Sequence, residues 1–111
     1  MVTQSGVRRF DVFLISLDPT KSTEIKKNRP CLVISLDEMN RHIRTVIIAP
    51  MTSTLNSYPT RVYTEFQGKQ GQIVLDQTRT VYKQRLVKKL TNISDATQGK
   101  VLDTLQSMFS M

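Results

Sequence analysis

The sequence predicts a mainly β protein, a small barrel-like sheet packed by a C-terminal helix. Two observations support this prediction. The apolar runs are short and separated by turn residues, and the one long helical pattern lies at the end of the chain. Strands and helices do not alternate as they would in βαβ units, which disfavours a parallel sheet. At 111 residues the chain is expected to form one domain over 1–111.

The first half of the chain predicts three strands. They are RFDVFLISL (9–17), CLVIS (31–35) and RTVIIAPM (44–51), each rich in β-branched or aromatic residues. A long basic loop over 18–30 is expected between the first two, because it begins with Asp-Pro and ends with Asn-Arg-Pro. Before the third strand, one helical turn is expected with Asp37 as its N-cap.

The second half predicts three more strands and the helix. The strands are TRVYTEF (60–66), QIVLD (72–76), which Asp76 ends, and a short strand within RLVKKL (85–90). The helix covers 94–109, where Ser94 is a natural N-cap. Its apolar stripe consists of Val101, Leu102, Leu105, Met108 and Phe109.

The charge balance indicates a polyanionic partner. The chain has 16 lysines and arginines against 9 aspartates and glutamates, a formal net charge of +7. This excess favours nucleic acid or an acidic protein segment as the partner. The alternative, a generically basic protein with neither partner, stays open on charge alone.

Cysteine use and hydropathy indicate a cytoplasmic protein. Cys31 is the only cysteine, which excludes an internal disulfide and fits a reducing compartment. The N-terminal MVTQSGVRRF lacks the apolar middle of a secretory signal. No apolar run reaches the roughly 18–20 residues that span a bilayer, so no membrane partner is expected.

Metal and cofactor chemistry have little support. One histidine, one cysteine and scattered carboxylates form no cluster with zinc-ligand spacing, and no phosphate loop or dinucleotide fingerprint occurs. Asp37 and Glu38 are interpreted as a helix start rather than a magnesium site. Cys31 is expected in the core, and His42 is interpreted as a surface or phosphate-contacting residue. The expectation is therefore no metal and no cofactor.

Arginines and small polar residues at strand ends suit one chemistry, the cleavage of RNA by its own 2′-hydroxyl. The RNA supplies both nucleophile and phosphate, so neither a metal nor a protein nucleophile is needed. The protein must assist deprotonation, stabilise a phosphorane and neutralise the leaving 5′-oxygen. Forked arginine donors match the phosphorane oxygens, and a threonine hydroxyl adds a further hydrogen bond.

Four segments together resemble the MazF/PemK toxins of bacterial toxin–antitoxin modules. They are FDVFLISLDPTKSTEIKKNRPCLVIS, VIIAPMTS, YPTRV and GQIVLDQTRTV…KQRLVKKL, and the similarity covers roughly residues 8–109. The resemblance implies an SH3-like barrel with a C-terminal helix, the MazF/PemK/CcdB-like toxin fold. It also implies metal-independent, often sequence-selective cleavage of single-stranded RNA, usually mRNA, by a homodimer. The implied protein partner is a cognate antitoxin with an acidic, disordered tail.

The resemblance also assigns catalytic roles. Arg29 matches the family's central arginine, with an implied role in phosphorane stabilisation and proton transfer, and Thr52 matches its partner hydroxyl. Asp76 matches a carboxylate proposed as base in some relatives. The alternative, that Asp76 simply pairs with Arg79, stays open.

Further positions are implied as substrate contacts. They are Thr23, Glu24, Ser53, Gln77 and Arg79. The chain departs from the family at Tyr82, where relatives usually have aspartate, and the tyrosine is expected to stack on a base or to pack across a dimer interface. The alternative function is a non-catalytic toxin on the same barrel that binds nucleic acid or a DNA topoisomerase.

Overall fold

An antiparallel sheet of seven strands forms the body of the molecule, and a computed structural model describes its residues 6–17 and 28–110. The strands are β1 (Asp11–Ser16), β2 (Asn28–Val33), β3 (Thr45–Thr52), β4 (Arg61–Phe66), β5 (Lys69–Val74), β6 (Arg79–Tyr82) and β7 (Leu86–Asn92). The helices are α1 (Asp37–His42) and α2 (Asp95–Phe109). The predicted mainly β architecture with a C-terminal helix is confirmed.

The sheet is organised around β3. Its strand order is β4-β5-β3-β2-β1-β7, and β6 pairs with the first half of β3. On that same edge β5 pairs with the second half, through Met51 and Thr52. A short 3-10 turn over Leu75–Gln77 separates β5 from β6. The chain from β5 to β6 is thus one interrupted strand along β3.

The central strands are buried on both faces. One core cluster contains Val12, Leu32, Ala49, Val62, Ile73 and Leu75, together with Val101 of α2. The other contains Phe13, Ile15, Cys31, Val33, Val46, Ile48, Val81 and Leu86. Successive residues of a strand point to opposite faces, so neighbours such as Val12 and Phe13 enter different clusters. The near-continuous apolar runs of the sequence therefore report a two-sided core.

Helix α2 agrees with its prediction except at its last residue. The Ser94 hydroxyl accepts a hydrogen bond from the Thr97 N–H at 3.2 Å, as an N-cap should. Leu105 and Met108 pack against the first cluster. Phe109, expected in the apolar stripe, is 79% exposed, because it is the final helical residue and extends beyond that cluster. No helix in the described ranges is long and apolar enough to cross a membrane.

The predicted loop over 18–30 was wrong at its end. Asn28, Arg29 and Pro30 belong to β2 and pair with β1. The ladder between β2 and β3 ends at the pair of Cys31 and Pro50, so the strand at Pro30 is flanked by β1 alone. Such edge positions are where strands tolerate proline, which has no N–H to donate to a second neighbour.

Two other local predictions were also wrong. Asp37 is the first residue of α1 rather than its N-cap, because its carboxylate accepts a hydrogen bond from the Arg9 N–H at 2.7 Å. Asp76 does not end a strand, since β5 stops at Val74 and Asp76 lies in the 3-10 turn. The strand β6 was not predicted, because RTVY offers only four residues and one buried side chain.

Candidate active site

Three polar side chains continue the rows of the second core cluster. On β2, Val33 and Cys31 are buried in that cluster and the next residue on the same face is Arg29. On β6, Val81 is buried in the same cluster, and Arg79, two residues before it, lies on the same face. On β3, the row of Val46 and Ile48 runs through Pro50 to Thr52.
Each strand thus changes from apolar to polar at the same end of the sheet.

Arg29 and Thr52 share one register position on facing strands. Cys31 pairs with Pro50 in the last pair of the antiparallel ladder. Moving two residues further along each strand places Arg29 opposite Thr52, where the ladder has already ended. Thr52 pairs on its other side with Gln72 of β5. The guanidinium and the hydroxyl therefore lie on the two sides of a split between β2 and β3.

A depression of about 410 Å³ lies at this split. We call it the arginine pocket, and its lining residues are Leu17, Arg29, Pro50, Met51, Thr52, Arg61, Val74, Gln77 and Arg79. Three arginines line this depression, and arginine presents a fork of donors, so the depression can bind an anion with several oxygens. The pocket brings together four of the predicted site residues, namely Arg29, Thr52, Gln77 and Arg79.

A larger groove of about 780 Å³ adjoins the pocket. This outer groove runs towards the turn between β4 and β5, and Arg29 and Thr52 line it as well. Its other polar lining residues are Asn28, Ser53, Thr54, Thr64, Gln67, Lys69, Gln70 and Gln72. The predicted contact Ser53 therefore lies in the outer groove, while Arg29 and Thr52 stand where the two cavities meet.

Asp76 binds Arg61 rather than Arg79. Its Oδ1 accepts hydrogen bonds from Arg61 Nε at 3.1 Å and from the Thr60 hydroxyl at 2.9 Å. The hydrogen bond from Arg61, helped by that from Thr60, holds the pKa of the Asp76 carboxyl below its usual value. The suggested pairing with Arg79 was wrong, because the ladder of β4 and β5 places Arg61 opposite Val74, two residues before Asp76. Within the described residues, neither Arg29 nor Arg79 has a carboxylate partner.

The Thr52 hydroxyl is held by the loop that follows it. Its Oγ1 accepts a hydrogen bond from the Thr54 N–H at 3.1 Å. Because that bond occupies a lone pair of the oxygen, the hydroxyl proton remains available to another acceptor. Thr52 can therefore donate a hydrogen bond to a bound anion.

Cys31 is buried in the core as predicted. Burial raises the pKa of its thiol to about 12, although the charges of Arg29 and Arg79 act in the opposite direction. The thiol is therefore protonated at neutral pH and is not a nucleophile.

Two predicted contacts, Thr23 and Glu24, lie outside the described residues. Two other site residues were missed by the sequence prediction. Arg61 lies within the YPTRV segment, and its position at the start of a predicted strand could have indicated a site residue. Gln72 opens the QIVLD segment, and nothing in the sequence marked it. Among the described side chains, no group of three or more His, Cys, Asp or Glu residues is placed to hold a metal ion.

A family model described as the PemK-like, MazF-like toxin of type II toxin–antitoxin systems matches residues 8–109. The chain belongs to this family. Endoribonuclease EndoA of Bacillus subtilis (strain 168) is 35% identical over 106 residues, covering 90% of this chain and 91% of that protein. The family predicted from the sequence is therefore confirmed.

Solved structures of the family share the fold. A MazE–MazF complex from Deinococcus radiodurans matches with a TM-score of 0.80 at 22% identity, covering 95% of this chain and 96% of that one. A mycobacterial endoribonuclease in complex with its cognate antitoxin matches with a TM-score of 0.78 at 24% identity, covering 91% and 92%. The predicted MazF-like fold is confirmed by these similarities.

Proposed function

We propose that this toxin is an endoribonuclease that cuts single-stranded RNA, mRNA in the cell, without a metal ion. The observation that carries the proposal is the placement of Arg29 opposite Thr52, at the meeting point of the arginine pocket and the outer groove. The relative EndoA of Bacillus subtilis is named as an endoribonuclease. A backbone phosphate would bind at this point and the flanking nucleotides would continue into the two cavities.

The reaction is an attack by the RNA on its own backbone. The 2′-oxygen bonds to the adjacent phosphorus as its proton leaves, and a phosphorane forms. The bond from phosphorus to the 5′-oxygen then breaks, and that oxygen takes a proton. The products are a 2′,3′-cyclic phosphate and a 5′-hydroxyl, and the one proton lost from the 2′-oxygen is balanced by the one gained at the 5′-oxygen.

Arg29 and Thr52 would stabilise the phosphorane. The Arg29 guanidinium is exposed at the end of the buried row and its fork can donate to two phosphorane oxygens. The Thr52 hydroxyl donates from the other side, since its oxygen already accepts from Thr54. Removing one such donor costs about 100- to 1,000-fold in kcat in other enzymes. A guanidinium has five N–H donors and no acceptor atom, so Arg29 suits stabilisation or acid assistance better than base catalysis.

The remaining site residues would hold RNA around this centre. Arg79 and Gln77 line the arginine pocket and would contact the backbone, and Ser53 would do so in the outer groove. Thr23 and Glu24 remain proposed contacts on the family resemblance. Asp76 is proposed to act chiefly by fixing Arg61, because a carboxylate with a lowered pKa is ionised but accepts a proton poorly.

The partners of the family extend the proposal. An antitoxin with an acidic, disordered tail would bind the basic groove and order on binding, competing with RNA for the same guanidiniums. A homodimer would place two such grooves in one particle. The proposed location is the cytoplasm, where mRNA is available.

The test uses purified protein, single-stranded RNA and an excess of EDTA. We expect cuts whose 5′ ends reveal a preferred sequence, and we expect a single 2′-deoxy substitution at the cut site to block the cut. Arg29→Ala should lower kcat about 100- to 1,000-fold. Arg41→Ala is the matched control, since Arg41 is exposed on α1 and pairs with Glu38 at 3.6 Å. RNA that stays intact with the wild-type protein would overturn the proposal in favour of a non-catalytic toxin.

A further inference from the structure

Gln72 is a buried side chain that holds a loop through two hydrogen bonds. It lies on β5 and is 8% exposed. Its Nε2 donates to the Asn56 carbonyl at 2.6 Å, and its Oε1 accepts from the Asn56 N–H at 3.0 Å. The side-chain amide thereby pairs with both backbone groups of Asn56, as a neighbouring strand would. Leaving this buried amide unpaired would cost free energy, so the position of Gln72 and that of Asn56 are coupled.

The loop in question begins directly after Thr52. It covers residues 53–60, and its residues 53–59 are exposed. Its far end is held separately by two backbone hydrogen bonds. The Arg61 N–H donates to the Tyr58 carbonyl at 3.1 Å, and the Leu75 N–H donates to the Thr60 carbonyl at 3.2 Å. Its near end provides the Thr54 N–H that binds the Thr52 hydroxyl. The bonds to Asn56 therefore hold the loop two residues from the group that orients Thr52.

The backbone beneath is fixed by the same strand. Thr52 pairs with Gln72 in the sheet. A Cβ atom at Gly71 would stand 2.6 Å from the Thr52 carbonyl oxygen, so the two strands are in close contact there. The main chain of Thr52 is thus positioned by β5 itself. Its side chain, by contrast, depends on the loop.

We propose that Gln72 is a positioning residue for the Thr52 hydroxyl. It acts through the loop: the amide of Gln72 fixes Asn56, this fixes Thr54, and the Thr54 N–H keeps the Thr52 oxygen as an acceptor with its proton directed into the groove. The kinetic part of this proposal rests on the proposed ribonuclease function. The structural part, a coupling between Gln72 and the Thr54 N–H, does not.

The first experiment measures that coupling without RNA. Amide exchange with water is followed by NMR for the wild type and for Gln72→Leu. The substitution removes both hydrogen bonds and replaces the amide with an apolar side chain of similar size. The Asn56 and Thr54 amides should both exchange faster in the variant, while the Arg61 amide should not change. If Thr54 keeps its wild-type exchange rate, the coupling does not exist and the proposal fails, whatever the enzyme does.

The second experiment separates positioning from folding. Gln72→Leu should lower kcat about 10- to 100-fold with little change in KM, because a reacting group displaced by about 1 Å can cost about 100-fold. In a Thr52→Val background the same change should have no further effect on single-turnover cleavage, since the hydroxyl it positions is gone. Equal losses in both backgrounds would show that Gln72 acts by another route.

Gln98→Leu is the matched control. The Gln98 amide also holds a backbone carbonyl, that of Ile93 at 3.0 Å, but at the start of α2 and away from both cavities. It should lower the midpoint of urea unfolding without lowering kcat. A loss of kcat in this control equal to that of Gln72→Leu would reduce the effect to general destabilisation. A wild-type protein that cuts no RNA would remove the proposed function and leave the exchange experiment to decide the coupling.

Discussion

The carboxylate of Asp76 binds the guanidinium of Arg61, with 3.1 Å between Oδ1 and Nε. Arg61 also stacks over the Tyr58 ring, 5.0 Å from its centroid. The three arginines of the pocket therefore differ in whether a carboxylate balances their charge. Arg61 is neutralised by Asp76, whereas Arg29 and Arg79 have no carboxylate partner in the described part of the chain. Among the described residues, the positive charge available to a phosphate is therefore concentrated on Arg29 and Arg79.

Asp76→Asn tests the role of this pair. If Asp76 were the general base, the variant would lose about 100- to 10,000-fold in rate. We expect a loss below about tenfold, because the lowered pKa makes the carboxylate a poor proton acceptor. The measurement is single-turnover cleavage by both proteins at several pH values. A loss of about 100-fold or more would assign the base to Asp76 after all.

The same variant has an expected dependence of stability on pH. A carboxyl whose pKa is lowered by folding stabilises the folded state above its ordinary pKa of 3.8, and that contribution is lost as the pH falls through the lower folded value. Asp76→Asn should therefore unfold more easily in urea at neutral pH, by no more than about 1 kcal/mol, because the Asp76 side chain is 34% exposed. The difference from wild type should narrow below pH 3.8. A constant difference would show that the charge of Asp76 is not involved.

Arg79→Gln should weaken RNA binding and reduce its dependence on salt. Each phosphate contact to single-stranded nucleic acid contributes about 0.7 to the slope of log K against log salt concentration. The variant should lose about that amount, measured by binding of an RNA that carries a 2′-deoxy group at the cut site. Arg41→Gln is the control, because Arg41 lies on α1 and pairs with Glu38. An unchanged slope for Arg79→Gln would place its guanidinium off the backbone.

The elements with strong local signals could be predicted from the sequence. Helix α2 was placed within a residue, because Ser94 caps it and its apolar stripe is periodic. Strand β4 was also placed within a residue, since its alternation is visible in the burial of Val62 and Thr64. By contrast β6 was missed, because a four-residue strand is specified by its partner β3 rather than by its own residues.

The site depends on relations that no local pattern contains. Arg29 and Thr52 were named by resemblance, but their shared position follows from the ladder of β2 and β3. Asp76 meets Arg61 because β4 and β5 pair Arg61 with Val74, two residues before Asp76. The sequence around Gln72 shows only a strand pattern, and its role depends on the hydrogen bond with Asn56 in the loop after Thr52. Long-range pairing, and not composition, decides these three contacts.

Gly71→Ala should harm both stability and cleavage. The added Cβ would stand 2.6 Å from the Thr52 carbonyl oxygen, and the contact is with backbone, so β3 or β5 must shift. Such overpacking typically costs about 1–3 kcal/mol. The displacement of Thr52 should lower kcat as well. Urea unfolding and cleavage of the two proteins provide the measurement.

Gly99→Ala is the matched control for that change. A Cβ at Gly99 would meet nothing within 4 Å, and the residue lies inside α2. The same substitution should therefore stabilise the protein by about 1 kcal/mol through helix propensity and leave kcat unchanged. If both alanine variants lose stability equally, the contact of Gly71 with Thr52 is not the cause.

Tyr82→Asp should stabilise the protein without changing the chemistry. Tyr82 is the N-cap residue of the short 3-10 turn over Lys83–Arg85 and makes no side-chain capping bond, whereas its ring is 60% exposed. An aspartate there can accept a backbone N–H bond of the turn, which is worth about 1 kcal/mol in helices. Tyr82 pairs with Thr45, the first residue of β3, while Thr52 is the last. At about 3.3 Å per residue the two ends of that strand are roughly 23 Å apart, so kcat should change less than about twofold.

Tyr82→Ala is the control: it removes the ring without adding a cap and should give no gain in urea unfolding. A rise in KM in both variants would instead indicate that the ring stacks on a base, and dissociation at low protein concentration in both would place it in a dimer interface.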